Sequence, residues 1–423
     1  MTQEESRSEP GAAPVLSVVI PALNEQDGIA EIAIRVLSAE PALREAGVGG
    51  LDLIVVNDGS LDRTAEIAGN IPGVRLINHI ATRGYGAAIK TGFSHARGGL
   101  LAFLDADGTY PPEQFPSLCR AILDSGADVA VGSRRSGESS QMPAVRRLGN
   151  LLWSNLVSLI GNKRCMDPAS GMRVLRREAL PRLYPLPDGL NFTPVMSTRA
   201  LHEGLKVMEL PISYHERQGR SKLSVVYDGT RFLKTILWTS LEYNPVKVLG
   251  IIGLLFLALA FSIGLGLVIS RLRGVTSLGP WAVFTLHGAL VLAVTGVSIY
   301  SLGLTFNALV ALFHRRPPRQ GMFAGAALER SLEVRFGWIG LLSIGLGLGV
   351  ALTTMILGAA GWEIARLWLW LLGSAMFFLV GFQLVISWIV ARVLEALAVR
   401  DALVHRELDS NNRVQGEGAE DLR

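Results

Sequence analysis

Four apolar stretches in the second half of the chain constrain its fold more than any other feature. They span residues 246–270, 282–306, 338–360 and 367–390. Each is close to the ~20 residues an α-helix needs to cross the hydrocarbon core of a bilayer. A buried core helix can mimic one such stretch, but four in succession read as membrane spans. Charge is nearly absent inside them, which counts against an ion-coupled transporter. The mean hydropathy of +0.36 is concentrated here, whereas the first half reads as an ordinary soluble domain. Arg315, Arg316, Arg319, Arg330 and Arg335 lie between the second and third spans, and Arg392, Arg400 and Arg406 follow the fourth. The excess of basic residues on these flanks places both termini and the soluble domain in the cytoplasm. Arg271 and Arg273, in a short opposite loop, run against that scheme.

Residues 1–14 are polar and acidic, with no apolar h-region, and read as a disordered tail rather than a signal peptide. Cys119 and Cys165 are the only cysteines, so neither a disulfide framework nor a cysteine metal cluster is expected.

In the soluble half, three short apolar runs end in polar or acidic clusters. Residues 15–20 lead into Pro21, Asn24 and Glu25, and residues 51–56 into Asn57, Asp58, Gly59 and Ser60. Residues 100–104 lead into Asp105, Asp107 and Gly108. Short β-branched runs alternating with helical segments indicate a mostly parallel α/β sheet, whose ligands bind beyond the carboxyl ends of the strands. Asx turns and helix caps explain any one cluster, but the three together point into one crevice. Two carboxylates at one strand end suit a hard cation carrying a diphosphate, Mg²⁺ or Mn²⁺.

Further along, Arg134 and Arg135 end another run, Arg146 and Arg147 begin a helix, and Arg217, Arg220 and Lys222 precede the membrane. Arginine forks suit a lipid phosphate. A solvated basic face drawn to anionic headgroups is the alternative, and spacing alone separates neither. Val225, Phe232, Leu233, Ile236 and Leu237 then share a helical face beside Arg231 and Lys234, as in a helix lying in the membrane interface. A linker helix packed on protein is the other reading. Arg83-Gly84-Tyr85-Gly86 opens a helix whose amides are able to face an anion, but it lacks the spacing of a Walker loop.

Val19-Ile-Pro-Ala-Leu-Asn-Glu25, Val55-Val-Asn-Asp-Gly-Ser60, the run from Arg83 to Gly92 and Asp105-Ala-Asp107 together resemble family-2 glycosyltransferases of the GT-A fold. Asp167-Pro-Ala-Ser-Gly-Met-Arg173, Glu209-Leu-Pro-Ile212 and Gly219-Arg-Ser-Lys-Leu223 resemble the polyprenyl-phosphate branch, such as dolichol-phosphate mannose synthase. The resemblance covers about residues 15–245 and implies a Rossmann-like GT-A domain over 15–223. An interfacial helix over 224–245, a four-helix transmembrane domain over 246–391 and a cytoplasmic tail over 392–423 complete the expected organisation.

The resemblance also implies roles. Pro21, Asn24, Glu25 and Asp58 line the nucleotide pocket, with Asp58 on the base or ribose, and Arg83 and Gly84 bound it. Asp105 and Asp107 hold the metal on the donor diphosphate. Arg134 and one of Arg146 or Arg147 grip the acceptor phosphate, Asp167 orients or activates the acceptor, and Arg217, Ser221 and Lys222 close over the donor. Relatives often carry Gln two places after the second metal Asp where Thr109 stands here, which leaves a third ligand open. The helix near Phe192–Met196 lacks the acid that family members often show. The Q-x-x-R-W signature of processive synthases is absent, which argues against a polymerase.

The implied reaction is metal-dependent, inverting transfer of one sugar from GDP-mannose or a UDP-hexose to a polyprenyl phosphate at the cytoplasmic face of the membrane. The implied partners are the nucleotide sugar, the lipid and the membrane; nucleic acid is not among them, and a homo-oligomer stays open. The alternatives are transfer to a lipid alcohol, with Asp167 as general base, and a non-catalytic scaffold that handles glycolipids.

Overall fold

The computed structural model describes residues 13–134, 144–161, 163–214, 225–275, 279–313, 326–362 and 364–420. The chain divides into two compact units, Met1–Thr239 and Ser240–Arg423.

The first unit is built on one sheet. Its strands are β1 (Val15–Ala22), β2 (Gly50–Asn57), β3 (Val74–Asn78), β4 (Leu100–Phe103), β5 (Val129–Ser133), β6 (Arg173–Arg176) and β7 (Val207–Pro211), in the order β3-β2-β1-β4-β6-β5-β7. All neighbours pair in parallel except β6, which is antiparallel to both β4 and β5. The helices are α1 (Ile29–Ser38), α2 (Glu40–Glu45), α3 (Thr64–Gly69), α4 (Tyr85–His95), α5 (Phe115–Ser125), α6 (Ala144–Gly161), α7 (Leu180–Leu183), α8 (Phe192–His202) and α9 (Val225–Tyr243). This is the mostly parallel α/β sheet expected from the three strand-end clusters.

The sheet is covered on both faces, so its strands are apolar at nearly every position. Alternate side chains enter different cores, as the two-residue period of a strand requires. Leu16, Val18, Ile20, Leu53 and Val55 pack with Ile29, Ile32 and Val36 of α1 and Phe115 and Leu118 of α5. Val19, Ile54, Val56 and Phe103 pack on the other face with Ile89 and Phe93 of α4 and Phe192 and Met196 of α8. Because β6 runs backwards, its first residue, Arg173, stands in register with Phe103 and Val131 near the carboxyl ends of β4 and β5. The turn before β6 therefore joins the edge where β1, β2, β4 and β5 end.

On α9 the expected apolar face is divided. Ile236 is buried, Phe232 and Leu237 are half-buried and Leu233 is exposed beside Lys234, while the Val225 side chain lies outside the described residues. Asn191 Nδ2 donates to Thr235 Oγ1 at 3.3 Å, tying the helix to the loop before α8.

The second unit consists, among the described residues, of α10 (Pro245–Leu272), α11 (Pro280–Phe313), α12 (Ala326–Ala359) and α13 (Ile364–Glu420). The membrane-length segments are Pro245–Leu272, Trp281–Val310, Arg335–Ala359 and Leu367–Leu394, one for each stretch expected. α13 continues beyond its span to Glu420, so the described part of the segment expected as a tail, 392–420, is helical.

These helices form two hairpins, α10 with α11 and α12 with α13, that share one pattern of glycine contacts. A Cβ at Gly253 would lie 2.7 Å from the Gly296 carbonyl oxygen and 2.9 Å from the Tyr300 amide. One at Gly340 would lie 2.8 Å from the Gly381 oxygen and 3.0 Å from the Val385 amide. The relation is reciprocal in both hairpins, because small residues let membrane helices approach backbone to backbone. Between the hairpins, Gln383 Nε2 donates to Ser301 Oγ at 3.4 Å, beside an apolar cluster of Val246, Leu304 and Phe336. Gly381→Leu is expected to destabilise the protein by about 1–3 kcal/mol through overpacking. Gly373→Leu, at a position with no atom within 4 Å, is expected to leave the thermal midpoint in detergent unchanged.

Candidate active site

The loops after β1 and β2 are stitched together by their own polar groups. Asn24, at a φ of +52° that asparagine tolerates better than most residues, donates its amide to Ser60 Oγ at 2.9 Å. Its Oδ1 accepts from the Leu61 amide at 2.9 Å, and the Glu25 amide donates to Thr64 Oγ1 at 2.9 Å. Pro21 is buried one residue before the end of β1, in register with Val56.

Asp58, 3 % exposed, turns its carboxylate onto the chain. Oδ1 accepts from the Arg83 amide at 2.9 Å and pairs with His79 Nδ1 at 2.6 Å; Oδ2 accepts from the Gly84 amide at 2.8 Å. The acid expected to face the donor thus also braces the turn that carries Arg83. Gly84 and Gly86 admit the backbone of residues 187–188: a Cβ at either would lie within 2.6 Å of a carbonyl oxygen there. The Ala87 amide donates to the Asp188 carbonyl at 3.1 Å, so this helix-opening amide serves the fold rather than an anion.

Asp105 and Asp107 are half-buried beyond β4. Tyr85 Oη donates to Asp105 Oδ1 at 2.6 Å. Burial, reinforced by the Asp105 charge, pushes the Tyr85 hydroxyl well above its ordinary range, so it stays a donor. On its other side the Asp105 carboxylate lies against Gly171, where a Cβ would sit 2.2 Å from Oδ2. Gly108, at φ +72°, turns the chain so that Thr109 donates to Asp107 Oδ1 through its hydroxyl at 2.6 Å and its amide at 3.2 Å. Among the described residues no group of three His, Cys, Asp or Glu converges. A pair of carboxylate oxygen donors nevertheless fits Mg²⁺ or Mn²⁺, which commonly take one or two protein carboxylates and fill the rest of the shell from water and substrate phosphates.

Beyond the end of β5 lies a buried ion pair. Arg134, just past β5, reaches Asp167 with a two-pronged fork, Nε to Oδ2 at 2.7 Å and Nη2 to Oδ1 at 2.6 Å. The Arg134 amide adds a bond to Oδ2 at 3.0 Å, and Asn150 Nδ2 from α6 adds one to Oδ1 at 3.1 Å. Burial alone would raise the Asp167 carboxyl, but the adjoining guanidinium and these donors hold it below the usual carboxylate range. Burial opposes the Arg134 charge as well, and the Asp167 charge outweighs it, so the guanidinium stays protonated.

The guanidinium carbon of Arg134 lies 6.0 Å from the Tyr110 ring centroid and 5.6 Å from that of Tyr214, within cation–π range. The Tyr110 hydroxyl accepts from the Gly171 amide at 2.7 Å. Arg173 closes the preceding turn by donating to the Ser170 and Pro168 carbonyls at 3.1 and 2.8 Å. Glu209 of β7 anchors the same segment, accepting from the Met166 amide at 2.8 and 3.0 Å.

Asp58, Arg83 and Gly84 therefore meet directly, as do Arg134 and Asp167. Tyr85, Gly171 and Tyr110 connect Asp105 to both groups. Arg147 is exposed on α6. The Arg146 side chain, Arg217, Ser221 and Lys222 lie outside the described residues. Tyr85, Thr109, Tyr110, Asn150 and Gly171 carry no periodic or charge signal that marks them as site residues, although each sits within or near a recognisable motif.

Residues 17–183 match the family model described as glycosyl transferase family 2, and residues 245–405 match a domain of unknown function, DUF8752. The chain is 36 % identical over 256 residues to the low-salt glycan biosynthesis hexosyltransferase Agl6 of Haloferax volcanii, covering 59 % of this chain and 60 % of that protein. The match thus spans less than two thirds of that relative. It is 31 % identical over 305 residues to the undecaprenyl-phosphate 4-deoxy-4-formamido-L-arabinose transferase of Edwardsiella ictaluri, covering 68 % of this chain and 86 % of the relative. Among solved structures, glucosyl-3-phosphoglycerate synthase of Mycobacterium tuberculosis, in complex with Mn²⁺ and UDP, superposes with a TM-score of 0.43 at 22 % identity, over 54 % of this chain and 81 % of that one.

Asp167→Ala would leave the buried Arg134 charge unpaired and is expected to destabilise the protein by about 3–5 kcal/mol in denaturant unfolding. Because the folded Asp167 titrates below its unfolded value, the contribution of the pair is complete above the ordinary carboxylate pKa near ~4. It is lost as pH falls through the lower folded value. Thermal midpoints measured from neutral pH down through that range are expected to fall more steeply in the wild type than in Asp167→Asn.

Proposed function

The chain belongs to glycosyltransferase family 2, and on that premise we propose that it transfers a single sugar from a nucleotide-diphosphate donor to a polyprenyl phosphate at the cytoplasmic face of a membrane. The observation that carries this reading is the Arg134–Asp167 pair. A lipid alcohol must lose a proton before it attacks, and Asp167, buried, forked to an arginine and held ionised, is a poor proton acceptor. A lipid monophosphate, with a second pKa near ~6, is already largely dianionic at neutral pH and needs no base.

The work left to the protein is positioning and charge neutralisation. Asp105 and Asp107 would hold the Mg²⁺ or Mn²⁺ that, when bound, stabilises the departing diphosphate as a Lewis acid. Asn24, Glu25, Asp58, Arg83 and Gly84 shape the donor end. Arg134, with two of its five N–H groups on Asp167, offers the others to the acceptor phosphate, and Arg146 or Arg147 adds charge from α6. Orientation of two bound anions is worth up to ~7–11 kcal/mol in ideal cases. A direct displacement inverts the anomeric centre.

The faces of α6 suit a lipid substrate. Its inner face carries Asn150 to Asp167 and Ser154 to the Cys165 carbonyl. Its outer face exposes Leu148, Leu152 and Leu159 by 59, 57 and 55 %. These three positions fall on one helical stripe, as at an interfacial surface. The positive-inside asymmetry of the loops supplies the orientation.

Incubation of the detergent-purified chain with undecaprenyl or dolichyl phosphate, Mn²⁺ or Mg²⁺ and a panel of GDP- and UDP-sugars tests the reading. Mass spectrometry is expected to detect a lipid-phosphate hexose, reduced roughly 10²-fold or more in Asp107→Ala. Sugar found on a lipid alcohol instead would overturn the phosphate-acceptor assignment, and a product retaining the donor's anomeric configuration would overturn direct displacement. Replacing Leu148, Leu152 and Leu159 with Ser is expected to lower kcat/KM for the long-chain lipid in vesicles while sparing a short, water-soluble prenyl phosphate.

A further inference from the structure

Beside the C-terminal half of α6 lies a cavity of about 550 Å³, lined by Ser154, Asn155 and Ser158 of the helix and by Lys163, Arg164 and Cys165 after it. Its floor is fixed by the chain's own bonds. Ser154 Oγ and Ser158 Oγ donate to the Cys165 carbonyl at 2.7 and 3.1 Å, and the Cys165 amide donates to Ser158 Oγ at 2.9 Å. With both hydroxyl hydrogens spent on that carbonyl, the side-chain donors that remain for a ligand are Asn155, Lys163 and Arg164, all exposed. Among the described residues the lining holds no Asp or Glu. Burial pushes the Cys165 thiol up, so it stays neutral. Two cations therefore line the cavity with no anion in its wall.

An arginine fork and a lysine point charge are common donors to a phosphate group. The volume falls within the ~300–1,000 Å³ of small-molecule sites, which accommodates a headgroup and not only an ion. Asn155 stands three and four places from Leu152 and Leu159, on the same helical stripe, and both leucines are more than half exposed. The cationic cavity thus adjoins an apolar strip, on a chain that carries four membrane-length helices. We infer that this cavity binds the phosphate headgroup of an anionic membrane phospholipid, with the acyl chains against Leu152 and Leu159. None of its lining residues belongs to the Arg134–Asp167 pair. The inference rests on the reading of α6 as a helix at the membrane interface and needs neither the donor, the metal nor the acceptor.

Native mass spectrometry of the full detergent-purified chain, without nucleotide sugar or metal, compares bound dihexanoyl phosphatidylglycerol with dihexanoyl phosphatidylcholine. Phosphatidylglycerol is expected to bind preferentially. A basic residue beside anionic lipid is worth a factor of about 5 in affinity, and Lys163→Gln and Arg164→Gln are each expected to weaken phosphatidylglycerol by that factor. Asn155→Ala, which leaves the charge unchanged, is expected to cost about as much through its lost hydrogen bond. Lys234→Gln, on α9 outside the cavity lining, is expected to cost nothing. The replaced side chains are exposed, so all variants are expected to keep the wild-type thermal midpoint. If Lys234→Gln costs as much as Lys163→Gln while Asn155→Ala costs nothing, the attraction is that of a diffuse basic face and the site is overturned. If inorganic phosphate at equal concentration displaces the lipid, or if joint replacement of Leu152 and Leu159 with Ser leaves binding unchanged, the lipid assignment is overturned. Equal binding of the two lipids overturns the inference outright. Because no sugar moves in this experiment, each of these failures leaves the proposed reaction standing.

Discussion

The reversal of β6 is the constraint on which the site depends. A wholly parallel sheet would bring only strand ends and the helices that follow them to the carboxyl edge. Because β6 runs the other way between β4 and β5, the turn from Asp167 to Gly171 arrives at that edge from the opposite direction. The Arg134–Asp167 pair then ties this turn to the end of β5. Burying two charges is unfavourable unless geometry and additional hydrogen bonds offset their desolvation. Here a fork, a backbone amide and Asn150 supply that compensation.

Gly171 shows how closely the parts interlock. Its α-carbon faces the Asp105 carboxylate, and its amide is held by the Tyr110 hydroxyl, whose ring in turn lies beneath Arg134. The Asp105 end and the Arg134–Asp167 end of the edge thus share one peptide. A displacement of either end is transmitted through packed, buried groups rather than absorbed by solvent. The same interlocking accounts for a motif of the form Asp-Pro-Ala-Ser-Gly-Met-Arg, in which Asp167 pairs with Arg134, Gly171 admits Asp105 and Arg173 closes the turn on its own carbonyls.

The membrane unit solves a different problem with a repeated device. Lipid supplies no hydrophobic drive for one apolar helix to leave it for another, so close packing must hold the hairpins together. Gly253 with Gly296, and Gly340 with Gly381, bring backbones into contact at equivalent points of the two hairpins. No repeat is evident along the sequence. The equivalence lies in which glycines face each other, and only the paired helices reveal it.

Much of this protein was legible from residue order. Four spans, a mostly parallel sheet and acids beyond β1, β2 and β4 follow from hydrophobic length, two-residue periodicity and punctuation by Pro, Gly and Asx residues, all of which are local. Asp105 and Asp107 stand out because two carboxylates two residues apart after an apolar run are a local anomaly. The tertiary structure decided what those groups touch. That Asp58 braces the turn at Arg83, that Arg134 is forked to Asp167, and that Tyr85 and Thr109 each donate to a carboxylate oxygen depend on contacts between residues up to 33 apart. The divided face of α9 is of the same kind, since Ile236 is buried by what packs against it and not by its helical period. Periodicity states which side chains share a face, whereas partner, denticity and burial are properties of surfaces that meet only when the chain is folded.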